Sequence, residues 1–287
     1  MSQGSLVFAG GGVAGIAWEV GVMQGLFDAD PQLFERLFAP NTRIIGTSAG
    51  SAVGAQLAGA TDIAEAFATQ LEEETAELGA DIDALELQAK FMAAVEDATS
   101  PEDARRRIGR LALDTPSVDE SVRIEVIRSR LADTQWPQRD LKITAVEVET
   151  GEFVTFDRTS GVELADAVAA SCAVPGVWPP VTINGSRYMD GGVRSGSNAD
   201  LAAGSDWVVI VTPLPGVGEP GLGTIATAEL DALGGVPTAI IYADQASITA
   251  FGPNPLDPAT RRASAEAGRL VGRASAERVA ATLAETL

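Results

Sequence analysis

Short apolar runs followed by glycine turns and helical segments recur along this chain. The first run, residues 5–9, is bounded by glycines and leads into a segment of helical character at 13–27. Residues 43–45 repeat the plan, with a glycine turn at 46–50 and a helical segment at 51–57. Two successive strand–turn–helix units predict a parallel sheet with helices packed on its faces.

The pattern changes between residues 61 and 135, where good helix formers recur at helical spacing and strand signals are few. We predict a helical insertion here. Two interpretations stay open: the insertion forms a lid or wall over a site, or its helices only cover one face of the sheet. The predicted helices span residues 62–78, 82–98, 101–113 and 117–132.

The remainder of the chain completes an α/β pattern. We predict a three-layer α/β/α sandwich around a mainly parallel sheet, formed by one domain over residues 1–287. Its C-terminal part, residues 224–287, is predicted to be mostly helical and broken at Pro237. The other predicted elements are a strand pair at 141–148 and 153–156, a helix at 162–171 and a buried strand at 207–212.

The composition argues against several classes of function. The net charge of −20 argues against nucleic-acid binding and against long-range attraction to an anionic membrane. The chain has no histidine and one cysteine, so a transition-metal site is not expected, and no cofactor is predicted. The acidic residues between 72 and 86 lack the spacing of a calcium loop and are predicted to be a solvated helix face.

The nearly uncharged segment 4–23 is not expected to be a signal peptide or a membrane span. No basic residue precedes its apolar run, and five glycines interrupt it. The sequence predicts a cytoplasmic protein.

Gly46-Thr47-Ser48-Ala49-Gly50 is the G-x-S-x-G pattern of a serine nucleophile at a strand-to-helix turn. Its position between an apolar β-branched run and a helix is the one that this motif requires. The plainer alternative is a glycine turn in which Ser48 only caps the helix. Because the chain contains no imidazole, a nucleophilic Ser48 would need another base.

The glycine run at residues 10–15 also has two interpretations. It fits G-x-G-x-x-G after a strand, which is the dinucleotide fingerprint. A dinucleotide site of this kind requires an acidic residue at the end of a second strand, about 20 residues further on. Asp28 and Asp30 lie at about that distance, but no predicted strand precedes them. Alternatively, bare glycine amides there form an oxyanion hole.

Asp190, which is followed by Gly191 and Gly192, is a candidate for the base that a histidine usually provides. Asp-Gly-Gly is also a common turn. A carboxylate is a weaker base than imidazole near neutral pH, but it can work when water is excluded and it contacts the hydroxyl directly.

Taken together, these blocks resemble those of patatin-like phospholipases, which are acyl hydrolases with a Ser–Asp dyad and no catalytic histidine. The resemblance covers roughly residues 5–212, and the helical insertion lies where family members vary. It rests on four blocks in the family's order: residues 10–15, 46–50, 170–180 and 190–192.

The resemblance implies roles for particular residues. Ser48 would be the nucleophile and Asp190 its base, and the amides of Gly11, Gly12 and Ala49 would form the oxyanion hole.

One departure from the family pattern bears on the substrate. The family usually has arginine where this chain has Ala14. Arg194 is a candidate substrate-binding replacement, although a surface ion pair is the commoner role for such a residue. With a net charge of −20, the sequence predicts that uncharged esters are hydrolysed better than anionic phospholipids.

The predicted function is therefore hydrolysis of carboxylic esters of lipids through Ser48, Asp190 and an acyl-enzyme. The expected partner is a lipid or small ester, with transient membrane contact left open and no nucleic acid. The sequence does not specify an oligomeric state. Two alternatives remain: a catalytically silent lipid- or acyl-binding protein of the same fold, and a nucleotide-binding module that uses the first glycine loop.

Overall fold

The computed structural model describes residues 3–59, 61–214, 217–218 and 225–285. These residues form a mixed α/β structure with one large sheet and a separate strand pair. The strands are β1 (Gly4–Phe8), β2 (Arg43–Gly46), β3 (Leu141–Glu147), β4 (Phe153–Phe156), β5 (Val181–Ile183), β6 (Ser186–Asp190), β7 (Trp207–Thr212), β8 (Val217–Gly218), β9 (Ile225–Ala226) and β10 (Thr238–Tyr242). The helices are α1 (Gly12–Ala29), α2 (Pro31–Leu37), α3 (Ala49–Ala58), α4 (Ile63–Leu71), α5 (Ala84–Val95), α6 (Pro101–Asp114), α7 (Glu120–Ser129), α8 (Leu164–Ser171), α9 (Thr227–Ala232), α10 (Gln245–Phe251) and α11 (Arg261–Ala284).

The large sheet has the strand order β10-β7-β1-β2-β3-β6-β5, and β4 also pairs with β3. The five strands from β10 to β3 are parallel to their neighbours, whereas β4, β5 and β6 pair antiparallel. β1 and β7 are buried along their whole length, as expected for parallel strands covered on both faces. The carboxyl ends of β1 and β2 lead directly into α1 and α3.

Side chains from alternate positions of the strands enter different hydrophobic clusters. Leu6, Phe8 and Ile44 pack with residues of α1, α3, α8 and α11 on one face. Val7 and Ile45 pack on the other face with residues of α9 and of the turn at Ala199–Ala202. The sheet therefore lies between two helical layers, which confirms the predicted α/β/α architecture.

α1 packs unusually closely against α11 on the first face. Four glycines on the two helices lie where an added Cβ would stand 2.1–2.2 Å from a carbonyl oxygen of the partner helix. No side chain fits at that distance, so glycine is required for this approach. These positions are Gly21, Gly25, Gly268 and Gly272.

Several predicted boundaries were wrong. α4 ends at Leu71, whereas the predicted helix continued to residue 78. β10 lies inside the part predicted to be mostly helical, directly after Pro237, and forms an edge of the sheet. The hairpin of β5 and β6 was also missed. Its turn is Asn184-Gly185, with φ of 53° and 90°, which is a strong hairpin signal in the sequence.

Across the part of the chain that the structure describes, no helix is both long enough and apolar enough to cross a membrane.

Candidate active site

Ser48 occupies a sharp turn between β2 and α3. Its φ of 52° and ψ of −119° place it in a backbone region that non-glycine residues rarely adopt. The flanking glycines make this turn sterically feasible. A Cβ on Gly46 would lie 2.5 Å from the carbonyl oxygen of Gly50, and one on Gly50 would lie 2.1 Å from that of Phe8. The motif thus forms the strained strand-to-helix turn that was predicted from the sequence.

The hydroxyl of Ser48 does not act as a helix cap. Ser48 stands at the cap position of α3, but its side chain makes no capping hydrogen bond within the described structure. The backbone of Ser48, by contrast, is fixed by hydrogen bonds on both sides. The N–H of Ser48 donates to Oγ of Ser171 at 2.9 Å. The carbonyl of Ser48 accepts from Oγ of Ser51 at 2.7 Å and from Sγ of Cys172 at 3.2 Å. The capping interpretation therefore fails, and the hydroxyl is available for another partner.

That partner is Asp190, at the end of β6. The Ser48 hydroxyl lies near enough to the carboxylate to stabilise its charged form, and Oδ1 of the carboxylate accepts a hydrogen bond of 2.7 Å from the N–H of Gly192. Asp190 is only 4% exposed. Burial raises the pKa of Asp190 from its ordinary value to about 7, against the opposing effect of the Ser48 hydroxyl and the Gly192 N–H. The carboxylate is thus brought into the basicity range of an imidazole.

Asn198 holds the loop after Asp190 against the serine turn. Its Nδ2 donates to Oγ1 of Thr47 at 3.0 Å and to the carbonyl of Ser195 at 2.8 Å, and its side chain is fully buried. Its backbone is left-handed, with φ of 50°, a conformation that asparagine tolerates. No role was predicted for Asn198 or Ser171, because their contacts with the serine turn join residues more than 100 positions apart.

The first glycine loop lies beside Ser48. A Cβ on Gly10 would come within 3.4 Å of the Cβ of Ser48. Gly12 and Ala49 are the first residues of α1 and α3, and Gly11 is the cap residue before α1, so their N–H groups lack partners within a helix. Gly12 and Ala49 line the same cavity as Ser48. The role of all three residues as oxyanion donors stays a prediction.

The dinucleotide interpretation has no acidic residue to support it. Asp28 is engaged by Arg269 and Arg273, and these partners lower the pKa of Asp28 to about 2. Asp30 caps α2. The second strand of the sheet, β2, instead leads into the serine turn.

Arg194 lies away from the cavity at Ser48. Its guanidinium forms a two-pronged ion pair with Asp200, at 2.9 and 2.6 Å, and stacks on the ring of Phe153. It also donates to Oδ1 of Asn198 at 2.7 Å. The carboxylate of Asp200 therefore neutralises the positive charge of Arg194. The suggested role of Arg194 in substrate binding stays a prediction.

The cavity at Ser48 has a volume of only about 20 Å³, which is room for little more than one water molecule. Two arginines of the helical insertion, Arg123 and Arg130, form part of its wall. The insertion therefore supplies a wall of the site. Neither arginine was singled out from the sequence, although Arg123 shares the buried face of α7 with Val126 and Ile127.

Cys172 is a buried free thiol. It lies beneath the Ser48 carbonyl and beside Arg130, and burial raises its pKa above the usual range. It therefore stays a neutral thiol rather than a nucleophilic thiolate. Among the described residues, no group of three or more histidine, cysteine or carboxylate side chains is arranged to hold a metal ion.

Gly50→Ala should lower the free energy of unfolding by about 2–4 kcal/mol, because the new methyl would meet the backbone of Phe8, which cannot rotate away. Gly59→Ala is a suitable control at the end of the same helix, where the nearest atoms would be 3.3 Å away. Urea unfolding at neutral pH measures both. Equal stability of the two variants would contradict the steric argument.

Comparison with known proteins agrees with these features. The family model for patatin-like phospholipases matches residues 6–203. Two structures of ExoU are similar to this chain. A structure of the type III effector protein ExoU has a TM-score of 0.43 at 17% identity, and ExoU of Pseudomonas aeruginosa in complex with SpcU has a TM-score of 0.40 at 16% identity. VipD from Legionella pneumophila has a TM-score of 0.35 at 15% identity.

This chain spans about half the length of those proteins. The comparisons cover 97%, 100% and 74% of this chain but 53%, 53% and 50% of the respective structures. A sequence search of curated proteins finds no match.

Proposed function

Because the chain belongs to the patatin-like phospholipase family, we propose that it hydrolyses carboxylic esters of lipids with Ser48 as nucleophile and Asp190 as base. Membership of the family supports lipid hydrolysis in general. One observation carries the specific assignment: the Ser48 hydroxyl, which does not cap its helix, lies next to a buried carboxylate whose pKa is about 7. A base of that pKa is matched to operation near neutral pH.

In the acylation step, Asp190 takes the proton of the Ser48 hydroxyl as its oxygen attacks the ester carbonyl. The tetrahedral intermediate carries its negative charge on the former carbonyl oxygen. That oxyanion would accept hydrogen bonds from the amides of Gly11, Gly12 and Ala49. Collapse breaks the bond to the alcohol, which leaves with the proton from Asp190, and the acyl group remains on Ser48.

In deacylation the same steps take place with water as the nucleophile. Asp190 removes a proton from the water molecule that attacks the acyl-enzyme, and it returns this proton to Oγ of Ser48 as the fatty acid leaves. The carboxylate therefore needs a pKa that lets it gain and lose a proton at the same pH. Burial supplies this property.

Hydrolysis of an ester series tests the proposal. We expect wild-type protein to hydrolyse p-nitrophenyl esters, with kcat/KM depending on acyl length, and Ser48→Ala to be inactive. Binding of these esters without turnover by wild-type protein would support the silent acyl-binding alternative instead.

The acid limb of the kcat/KM profile should have its midpoint near pH 7. Asp190 works as a base only when it is deprotonated, and its pKa is about 7, so the rate should fall as the pH drops below that value. Activity measured from pH 5 to 9 at constant ionic strength tests this. A rate that stays flat down to pH 5 would mean that the base has an ordinary carboxylate pKa.

We also propose that residues 1–287 act as one cytoplasmic domain on a lipid or small ester, with transient contact at the membrane. The large sheet, which joins β1 to β10, supports a single domain. The net charge of −20 does not favour lasting attraction to an anionic membrane, which supports a contact that is only transient.

A further inference from the structure

Arg123 places a positive charge beside the candidate nucleophile, and two of its nitrogen atoms have no hydrogen-bond partner in the described structure. The residue is 4% exposed, and its Nε and Nη1 atoms are buried without a hydrogen-bond partner in the described structure. It lines the same cavity as Ser48. A guanidinium carries five N–H donors and cannot easily lose its charge, so burial without partners is costly.

The other charged groups of this wall are already matched. Arg130 donates from Nε and Nη2 to the two carboxylate oxygens of Glu77, at 2.7 Å each. Both side chains of that pair are largely buried, and their charges cancel. Arg123 adds a further positive charge to this wall; Glu77 attracts it, but no hydrogen bond joins the two side chains in the described structure.

The aromatic ring of Trp178 holds the guanidinium in place without using up its donors. The central carbon of the guanidinium lies 4.1 Å from the centre of the ring, and Trp178 also lines the cavity. Burial and the neighbouring Arg130 lower the pKa of Arg123 to about 10, so it stays charged at neutral pH. Stacking on an aromatic face fixes a planar cation and leaves its N–H edge free to bind an anion.

We propose that Arg123 binds a singly charged oxyanion of the substrate, either a phosphodiester or a carboxylate, carried by the same molecule as the scissile ester. This inference rests on the proposed function. It also replaces the expectation of uncharged substrates, because a cation from the helical insertion lines the cavity at Ser48. A two-pronged pair would join Nη2 to either Nε or Nη1, and it would therefore satisfy one of the two unpartnered atoms.

Matched substrates that differ in charge test the proposal and separate the two sources of the anion. Lysophosphatidylglycerol is compared with a monoacylglycerol of the same acyl chain in nonionic micelles. The mono-p-nitrophenyl ester of octanedioic acid is compared with p-nitrophenyl octanoate. We expect wild-type kcat/KM to favour the anionic member of at least one pair. Arg123→Gln should then lower kcat/KM for that anionic ester about tenfold or more and change the neutral ester less than about threefold.

Two further variants serve as controls. Arg123→Lys keeps the charge and should retain part of the preference, since a lysine is a point charge without the planar fork. Arg128→Gln removes the same charge from an exposed position of α7 and should leave the preference unchanged. If Arg123→Gln slows both members of a pair equally, or Arg128→Gln matches its effect, the proposal is overturned.

A binding measurement that needs no catalysis keeps this inference separate from the proposed function. In a Ser48→Ala background, inorganic phosphate should raise Tm in a concentration-dependent way, and adding Arg123→Gln should abolish that shift while the protein stays folded. An equal phosphate shift with and without Arg123 would overturn the anion site even if ester hydrolysis is established. A shift that needs Arg123, together with a wild-type protein that cleaves no ester, would support the anion site and reject the hydrolase.

Discussion

Ser48→Ala and Asp190→Asn are each expected to lower kcat/KM for ester hydrolysis by about 10³-fold or more. The serine supplies the attacking oxygen, and the carboxylate removes its proton, so neither works without the other. The double variant should consequently be little slower than either single one. Initial rates with one p-nitrophenyl ester at pH 8 measure all three variants.

Controls for these substitutions come from the exposed surface. Ser160→Ala and Asp231→Asn make the same chemical changes at exposed positions and should keep wild-type activity. Circular dichroism establishes that every variant is folded. If Asp190→Asn retains more than about a tenth of wild-type activity, another group acts as the base.

Asp190→Asn should also stabilise the protein at alkaline pH. Asp190 has a pKa of about 7 in the folded protein, against an ordinary value of 3.8. The folded state therefore binds a proton that the unfolded state releases between these two pH values. Stability falls as the pH rises from about 4 to 7, and above pH 7 the wild type bears the full cost of a buried carboxylate.

Asparagine has the same shape and no charge, so it avoids this cost. Because a pKa difference of one corresponds to about 1.4 kcal/mol, the gain in the free energy of unfolding at pH 8 should be several kcal/mol. At pH 4 the two proteins should differ little. Urea unfolding at both pH values tests the claim, and a stability difference that does not change with pH would show that Asp190 titrates normally in the fold.

The sequence predicted the elements that local patterns specify. The parallel strands of the core are continuous apolar runs, and the serine turn has glycines at both positions where a side chain cannot fit. Asp190 was identified because a chain without histidine needs another base and because its block resembles that of the family. The described structure brings Ser48 and Asp190 together although 142 residues separate them.

The missed features depend on contacts between distant segments. In the sequence, Arg123 cannot be distinguished from other arginines of an amphipathic helix. Only the structure shows that it lines the cavity at Ser48. Ser171 matters only because its Oγ meets the N–H of Ser48. β10 contains β-branched residues but follows a proline in a segment dominated by helical spacing, and it was missed because pairing with β7 decides its conformation.

Labelling with a fluorophosphonate tests the central claim most directly, because this reagent reacts with an activated serine whatever ester the protein prefers. We predict one label per chain, located at Ser48 by peptide mapping, with a labelling rate that rises around pH 7. Ser48→Ala and Asp190→Asn should not be labelled, whereas Ser160→Ala should react like the wild type. A label on another serine, or undiminished labelling of Asp190→Asn, would contradict the Ser48–Asp190 mechanism.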